Sequence, residues 1–167
     1  MKLLVSDIAL SNINELINND ITYIDLTMNT INNCIGCFSC WVKTPGKCII
    51  RDDAVKIYPL LAQSDNLIYV SKIKYGGYDS VMKTYLERTI PIQQAFIRLY
   101  HNETHHIQRN VNYKKATIIA YGDISDLDKK LFEKLISRNA FNMNFESYNI
   151  IFTNKDNLEK EVLKWIK

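Results

Sequence analysis

Five short apolar runs, rich in Ile, Val, Leu and Tyr, punctuate the chain at residues 3–5, 21–26, 66–70, 116–121 and 148–152. Runs of this length suit strands buried on both faces. Helical spacing takes over between them. Asp52 and Asp53 can cap a helix running to about Gln63, and Pro59 within it predicts a kink or an early end. Asp79 can cap a second helix from Ser80, with Val81, Met82, Tyr85 and Leu86 on one face and Pro91 bending or ending it. Leu127, Leu131, Phe132, Leu135 and Ile136 form an amphipathic stripe over 127–138. Asp156 with Glu159 resembles a capping box ahead of Val162, Trp165 and Ile166. Strand and helix alternate, with only a weak helical pattern after the first strand. That order predicts an α/β fold with a parallel sheet and helices on both faces.

Composition narrows the class. Apolar residues make up 47% of the 167 positions and charged residues 23%, which fits a globular chain. No repeat or low-complexity linker divides it, so residues 1–167 read as a single domain. The net charge of +3 is too small and too evenly spread to point to nucleic acid. No apolar run approaches the roughly 20 residues of a membrane-spanning helix. The opening MKLLVSDIAL is too short and too interrupted for a signal peptide, so a cytoplasmic location and no membrane partner are expected.

All four cysteines lie between residues 34 and 48, as Cys34, Cys37, Cys40 and Cys48. In a reducing compartment such a cluster points to metal binding or redox chemistry rather than a disulfide framework. Three cysteines at two-residue intervals let each thiolate reach a different iron of a cubane, and the fourth can close the site from beyond Pro45-Gly46. Structural zinc usually takes two separated pairs. Free thiols and zinc stay open as alternatives. A second constellation follows the third strand, where Tyr75-Gly76-Gly77-Tyr78 offers a close-approach loop with flanking rings, and Lys72 and Lys74 beside it. The bland reading of that loop is a glycine turn. His105 and His106 point opposite ways if extended, which makes them a poor chelating pair and suggests a loop or interface role.

Together, Cys34-Ile-Gly-Cys37-Phe-Ser-Cys40-Trp41, Thr44-Pro45-Gly46-Lys47-Cys48, Asp52-Asp53 and Tyr75-Gly76-Gly77-Tyr78 with Leu86-Glu87-Arg88 resemble the flavodoxin superfamily. Within it they resemble the NADPH-dependent FMN reductase and iron–sulfur flavoprotein branch. The resemblance implies a flavodoxin-like three-layer sandwich with a five-stranded parallel sheet in the order 2-1-3-4-5, its first helix short or vestigial. It implies FMN at the strand edge, met by Tyr75, Gly76, Gly77, Tyr78, Gly122 and Asp123. It further implies a 4Fe–4S cluster on the four cysteines, NAD(P)H as donor, small-molecule or protein redox partners, and a homo-oligomer. The implied activity is that of an FMN-linked NAD(P)H oxidoreductase or electron carrier. One stretch departs from the pattern. Ser6-Asp7-Ile8-Ala9-Leu10-Ser11-Asn12 follows the first strand with no glycine and with a carboxylate where a phosphate belongs. That departure sustains an alternative: a flavodoxin-like domain that has lost FMN and acts as a metal, thiol or protein-binding module.

Overall fold

The computed structural model describes residues 1–11, 13 and 20–166. The chain opens with β1 (Lys2–Ser6) and β2 (Ile21–Asp25), and a 3-10 turn at Leu26–Met28 then starts a long loop. That loop contains α1 (Ser39–Val42) and leads to α2 (Ala54–Gln63), β3 (Asn66–Lys74), β4 (Gly77–Tyr78) and α3 (Ser80–Glu87). A 3-10 turn at Ile90–Ile92 precedes β5 (Gln93–Tyr100) and β6 (Glu103–Gln108). The remaining elements are β7 (Lys114–Tyr121), α4 (Asp126–Asn142), β8 (Phe145–Thr153) and α5 (Leu158–Ile166).

Among the described residues, five strands run parallel in the order β2-β1-β3-β7-β8. Counted along the chain, this is the expected 2-1-3-4-5 order. Alternating side chains leave a strand on opposite faces, and here both faces are covered. Leu3, Val5, Tyr69 and Ile118 pack against Leu61 of α2, Met82 of α3 and Phe132 of α4. Leu4, Ile68, Val70 and Ile119 pack against Val162 and Ile166 of α5, together with Leu10 and Ile13. That double burial explains why the strands read as continuous apolar runs. The short first helix expected after Ser11 falls on residues 12 and 14–19, outside the described residues.

Several local expectations change. Pro59 does not end α2 early: the helix runs on to Gln63, with Ile57, Tyr58, Leu61 and Ala62 buried on either side of the proline. Asp156 and Glu159 do not form the expected capping box: Glu159 instead accepts the N–H and hydroxyl of Ser11, at 2.9 and 2.6 Å. The chain from Gln93 to Gln108 forms an antiparallel hairpin, which the apolar pattern hides. A register irregularity between Gln93 and Ile97 breaks the two-residue alternation. His105 and His106 lie on β6, not in a loop, and their rings do diverge. His105 meets Glu103 and Asn142, while His106 meets the Gln94 carbonyl.

The Gly-Gly segment is a tight turn joining β3 to the antiparallel β4. Tyr75 and Gly76 both have positive φ, at 54° and 69°, as a two-residue hairpin loop of this hand requires. A Cβ on Gly76 would lie 2.6 Å from the Leu131 Cβ of α4. Gly76→Ala should therefore cost about 1–3 kcal/mol through backbone strain and displacement of α4. Thermal unfolding would show this as a lower melting temperature, whereas Gly77→Ala, with only Lys74 O at 3.9 Å, should cost less.

Candidate functional site

Two carboxylates pin the cysteine loop to the start of α2. Asp53 accepts from the Thr30 amide at 2.9 Å, and Asp52 accepts from the Asn32 amide at 2.9 Å. The chain then turns sharply on both sides of Cys37, with Gly36 at φ 63° and Phe38 at φ 55°. Beyond α1, the Gly46 amide returns to the Cys40 carbonyl at 2.9 Å, and the Cys48 amide reaches the Tyr58 hydroxyl at 3.3 Å. This folding brings Cys34, Cys37, Cys40 and Cys48 onto the wall of one cleft of about 60 Å³. The rest of the wall is largely apolar, with Ile35, Phe38, Trp41 and Pro91.

Arg88, which follows α3, forms the buried floor of this cleft and is only 2% exposed. Its guanidinium grips Asp52 with both terminal nitrogens, at 2.6 and 3.0 Å. It also donates to the Asn32 carbonyl at 2.7 Å and to the Cys48 sulfur at 3.4 Å. Burial alone would raise the Asp52 pKa, but the bonds from Arg88 and Asn32 outweigh it and hold the carboxyl at about 2. Burial works against the Arg88 charge too, and the Asp52 bonds overcome it, so the guanidinium stays ionised.

All four cysteines are free thiols; Cys34 and Cys37 are exposed, and Cys40 and Cys48 are partly buried. A hydrogen bond from the Ser39 hydroxyl lowers the Cys37 pKa, whereas burial and then the neighbouring Cys48 raise that of Cys40. The four share a cleft but not a single point. Among the described residues, no three His, Cys, Asp or Glu side chains gather tightly enough to hold a metal ion. The β5–β6 hairpin props the loop from outside, because the His106 ring lies 4.6 Å from Trp41, which in turn touches Phe38 at 5.6 Å.

The residues expected around a flavin ring divide. Tyr75 is 87% exposed at the hairpin tip. Tyr78, on β4, turns inward, with its ring edge-on to Phe132 at 5.0 Å and to Tyr69 at 6.5 Å. It is a core residue because β4 folds back over the sheet. Gly76 and Gly77 build the turn. A Cβ on Gly122 would lie 3.5 Å from the Ile73 carbonyl oxygen, and with Asp123 the glycine opens onto a groove of about 430 Å³ that Tyr75 does not line. The cysteine cleft lies at the far end of α3 from the turn, a helix of eight residues and so ~12 Å long.

The phosphate position can be tested directly. In this strand order the ligand crevice lies between β1 and β3, beyond their carboxyl ends. Asp7 fills it. Its carboxylate accepts from the Ser71 hydroxyl and the Lys72 amide, both at 2.8 Å, and from the Tyr121 hydroxyl at 3.0 Å. The donors that β3 and β7 present to this crevice are therefore already engaged by the chain's own carboxylate.

Comparison with solved structures matches this architecture end to end. An FMN-dependent NADH-azoreductase from Bacillus anthracis, solved with FMN, covers 99% of this chain and 96% of its own, at TM-score 0.58 and 15% identity. An NAD(P)H:quinone oxidoreductase from Methanothermobacter marburgensis covers 99% and 95%, at TM-score 0.60 and 9% identity. The fold is flavodoxin-like. Two curated relatives extend the likeness to sequence. They are iron–sulfur flavoproteins from Methanocaldococcus jannaschii, 34% identical over 74 residues, and Archaeoglobus fulgidus, 32% identical over 72. These segments are 44% and 43% of this chain, and the match spans about a third of each relative, at 37% and 32%. No family model matches the chain. No helix among the described residues is long and apolar enough to cross a membrane.

Sequence reasoning singled out all four cysteines, which the structure brings to one cleft, and the odd carboxylate of Asp7. It missed the partners of Asp7, Ser71 and Tyr121, and the role of Arg88 beneath the cysteines. The one available signal for the latter was an arginine just past an amphipathic helix in a chain with an Asp-Asp pair.

Breaking the buried pair should be costly, since it leaves a charge alone in the interior. Asp52→Asn should lose about 3–5 kcal/mol of stability by urea unfolding at pH 7. The sign with pH also follows. A carboxyl held near 2 in the fold, against an ordinary value of 3.8, stabilises above pH 4 and loses that contribution as pH falls through 2. The difference between wild type and Asp52→Asn should therefore shrink between pH 4 and pH 2.

Proposed function

We propose that this chain is an electron-transfer protein, related in fold to the NAD(P)H-dependent flavin oxidoreductases, whose redox centre is a 4Fe–4S cluster held by Cys34, Cys37, Cys40 and Cys48. One observation carries the reading: all four thiols line a single apolar cleft whose buried floor is the Arg88 guanidinium, donating to the Cys48 sulfur at 3.4 Å. A cubane does not ask its thiolates to converge on one point, since each binds a different iron. The donor chemistry therefore fits, although the thiols do not gather as for a single ion.

A bound cluster would supply one-electron chemistry. The protein's own parts set its terms. Four thiolates bring negative charge, which the buried guanidinium offsets. A hydrogen bond and a fixed positive charge beside a ligand sulfur favour the more negative, reduced state and so raise the potential. Asp52 keeps Arg88 oriented. Ile35, Phe38 and Trp41 limit water at the site, while the exposed Cys34 and Cys37 edge lets a redox partner approach. Ile35, Phe38 and Val42 on the loop, and Phe96, Ile97 and Leu99 on the neighbouring hairpin, are exposed apolar residues that suit a homo-oligomeric contact. The chain would work as one domain in the cytoplasm, exchanging electrons with a small-molecule or protein donor and acceptor.

A second reading adds a flavin at the carboxyl edge, held by its ring near Tyr75, Gly76, Gly77, Gly122 and Asp123, with NAD(P)H as donor. It is supported by the FMN-bound azoreductase that covers 99% of the chain. Loss of flavin with the thiols retained would correspond to a metal- or thiol-based module.

Anaerobic purification with iron, sulfide and flavin assays tests both readings. About four irons and four sulfides per chain, with a broad absorbance band near 400 nm, are expected. Cys34→Ser and Cys48→Ser should abolish both. Thiols without iron or sulfide would overturn the cluster reading, and flavin near one per chain would establish the second.

A further inference from the structure

The crevice between β1 and β3 is where a sheet of this order takes its ligand, and the chain has furnished it with its own anion. Three donors from two strands converge there. The Ser71 hydroxyl and Lys72 amide of β3 reach one oxygen of Asp7, and the Tyr121 hydroxyl of β7 reaches the other. Ser71 is fully buried, and Tyr121 nearly so. The Asp7 backbone is fixed as well, its amide donating to the Val70 carbonyl at 3.1 Å. Ser6 closes the turn beneath it, donating to the Ile8 carbonyl at 2.7 Å and accepting the Ile8 amide at 3.2 Å. Leu10 and Ile13 are buried in the apolar layer beside α5.

The neighbouring helix start also carries a carboxylate. The first amide of α3, at Ser80, donates to the side chain of Asp79 at 2.7 Å. A helix start and a ring of convergent donors both ordinarily attract phosphate. Here each is answered by a carboxylate of the chain itself, and an incoming phosphate would meet Asp7 and Asp79 together.

We propose that Asp7 is a specificity-determining residue of the β1/β3 crevice, a resident anion that excludes phosphate esters. A flavin at this edge is then held by its ring alone, and FMN has no advantage over its dephosphorylated form, riboflavin. The inference rests on the strand-edge geometry and is independent of the cluster reading, because iron and sulfide play no part in its test.

The wild-type protein is titrated with FMN and with riboflavin, following flavin fluorescence. Dissociation constants within about threefold of each other, or no binding of either, are expected. FMN binding tenfold or more tighter than riboflavin would overturn the proposal. Asp7→Ala and Asp7→Ser are then heated with and without inorganic phosphate. Phosphate should raise the melting temperature of these variants by a few degrees and leave that of wild type unchanged. A folded variant that gains no phosphate response would overturn the role of Asp7. If neither variant folds, the wild-type titration decides by itself.

Discussion

A guanidinium buried in a protein interior must find its counter-charge and its hydrogen bonds together, or the fold around it fails. Arg88 finds its counter-charge in Asp52 and further acceptors for both terminal nitrogens in the Asn32 and Ile50 carbonyls, while its Nε has no partner among the described residues. Asp52 stands at the start of α2, Arg88 just past the end of α3, and the cysteine loop runs between them. The pair therefore ties the cysteine loop and the adjoining start of α2 to the end of α3, 36 residues further along. Besides this pair, the loop is held to α2 by Asp53 and by the Cys48 amide on Tyr58, to α3 by the Thr84 hydroxyl donating to the Asn33 side-chain oxygen, and to the β5–β6 hairpin by the Trp41–His106 contact. Its chemical surroundings, four sulfurs over a fixed positive charge, are a by-product of that architectural tie.

The parts of the fold legible in the sequence are those governed by burial. A strand covered on both faces must be apolar without interruption, so β1, β3 and β7 announce themselves, and their alternation with helices indicates that they run parallel. The β5–β6 hairpin was not legible. Its outer side chains, Phe96, Ile97 and Leu99, are apolar yet exposed, and a bulge disturbs their spacing. Pattern reading assumes that apolar residues face inward, and this segment breaks the assumption.

The site was legible as chemistry and not as geometry. Cysteine spacing indicated soft-ligand chemistry, but nothing local to the loop told that its floor would come from a residue 40 positions beyond Cys48. The Gly76-Gly77 pair was ambiguous for a related reason. A glycine turn that serves a ligand and one that serves a hairpin have the same composition. The close approach to Leu131 and the inward ring of Tyr78 show the part the turn plays in packing. Asp7 was the opposite case. A carboxylate out of place in a loop is visible in the sequence, while the donors that make it stable come from Ser71, Lys72 and Tyr121, far along the chain.

That carboxylate also has an evolutionary reading. The codons of aspartate lie one base from those of glycine, alanine and asparagine, so a single mutation could remove the charge from the crevice. The surrounding donors belong to strands whose main duty is the core, and they would persist through such a change. Such a change would leave the Ser71, Lys72 and Tyr121 donors in place, an anion cradle built into the core strands beneath one replaceable residue.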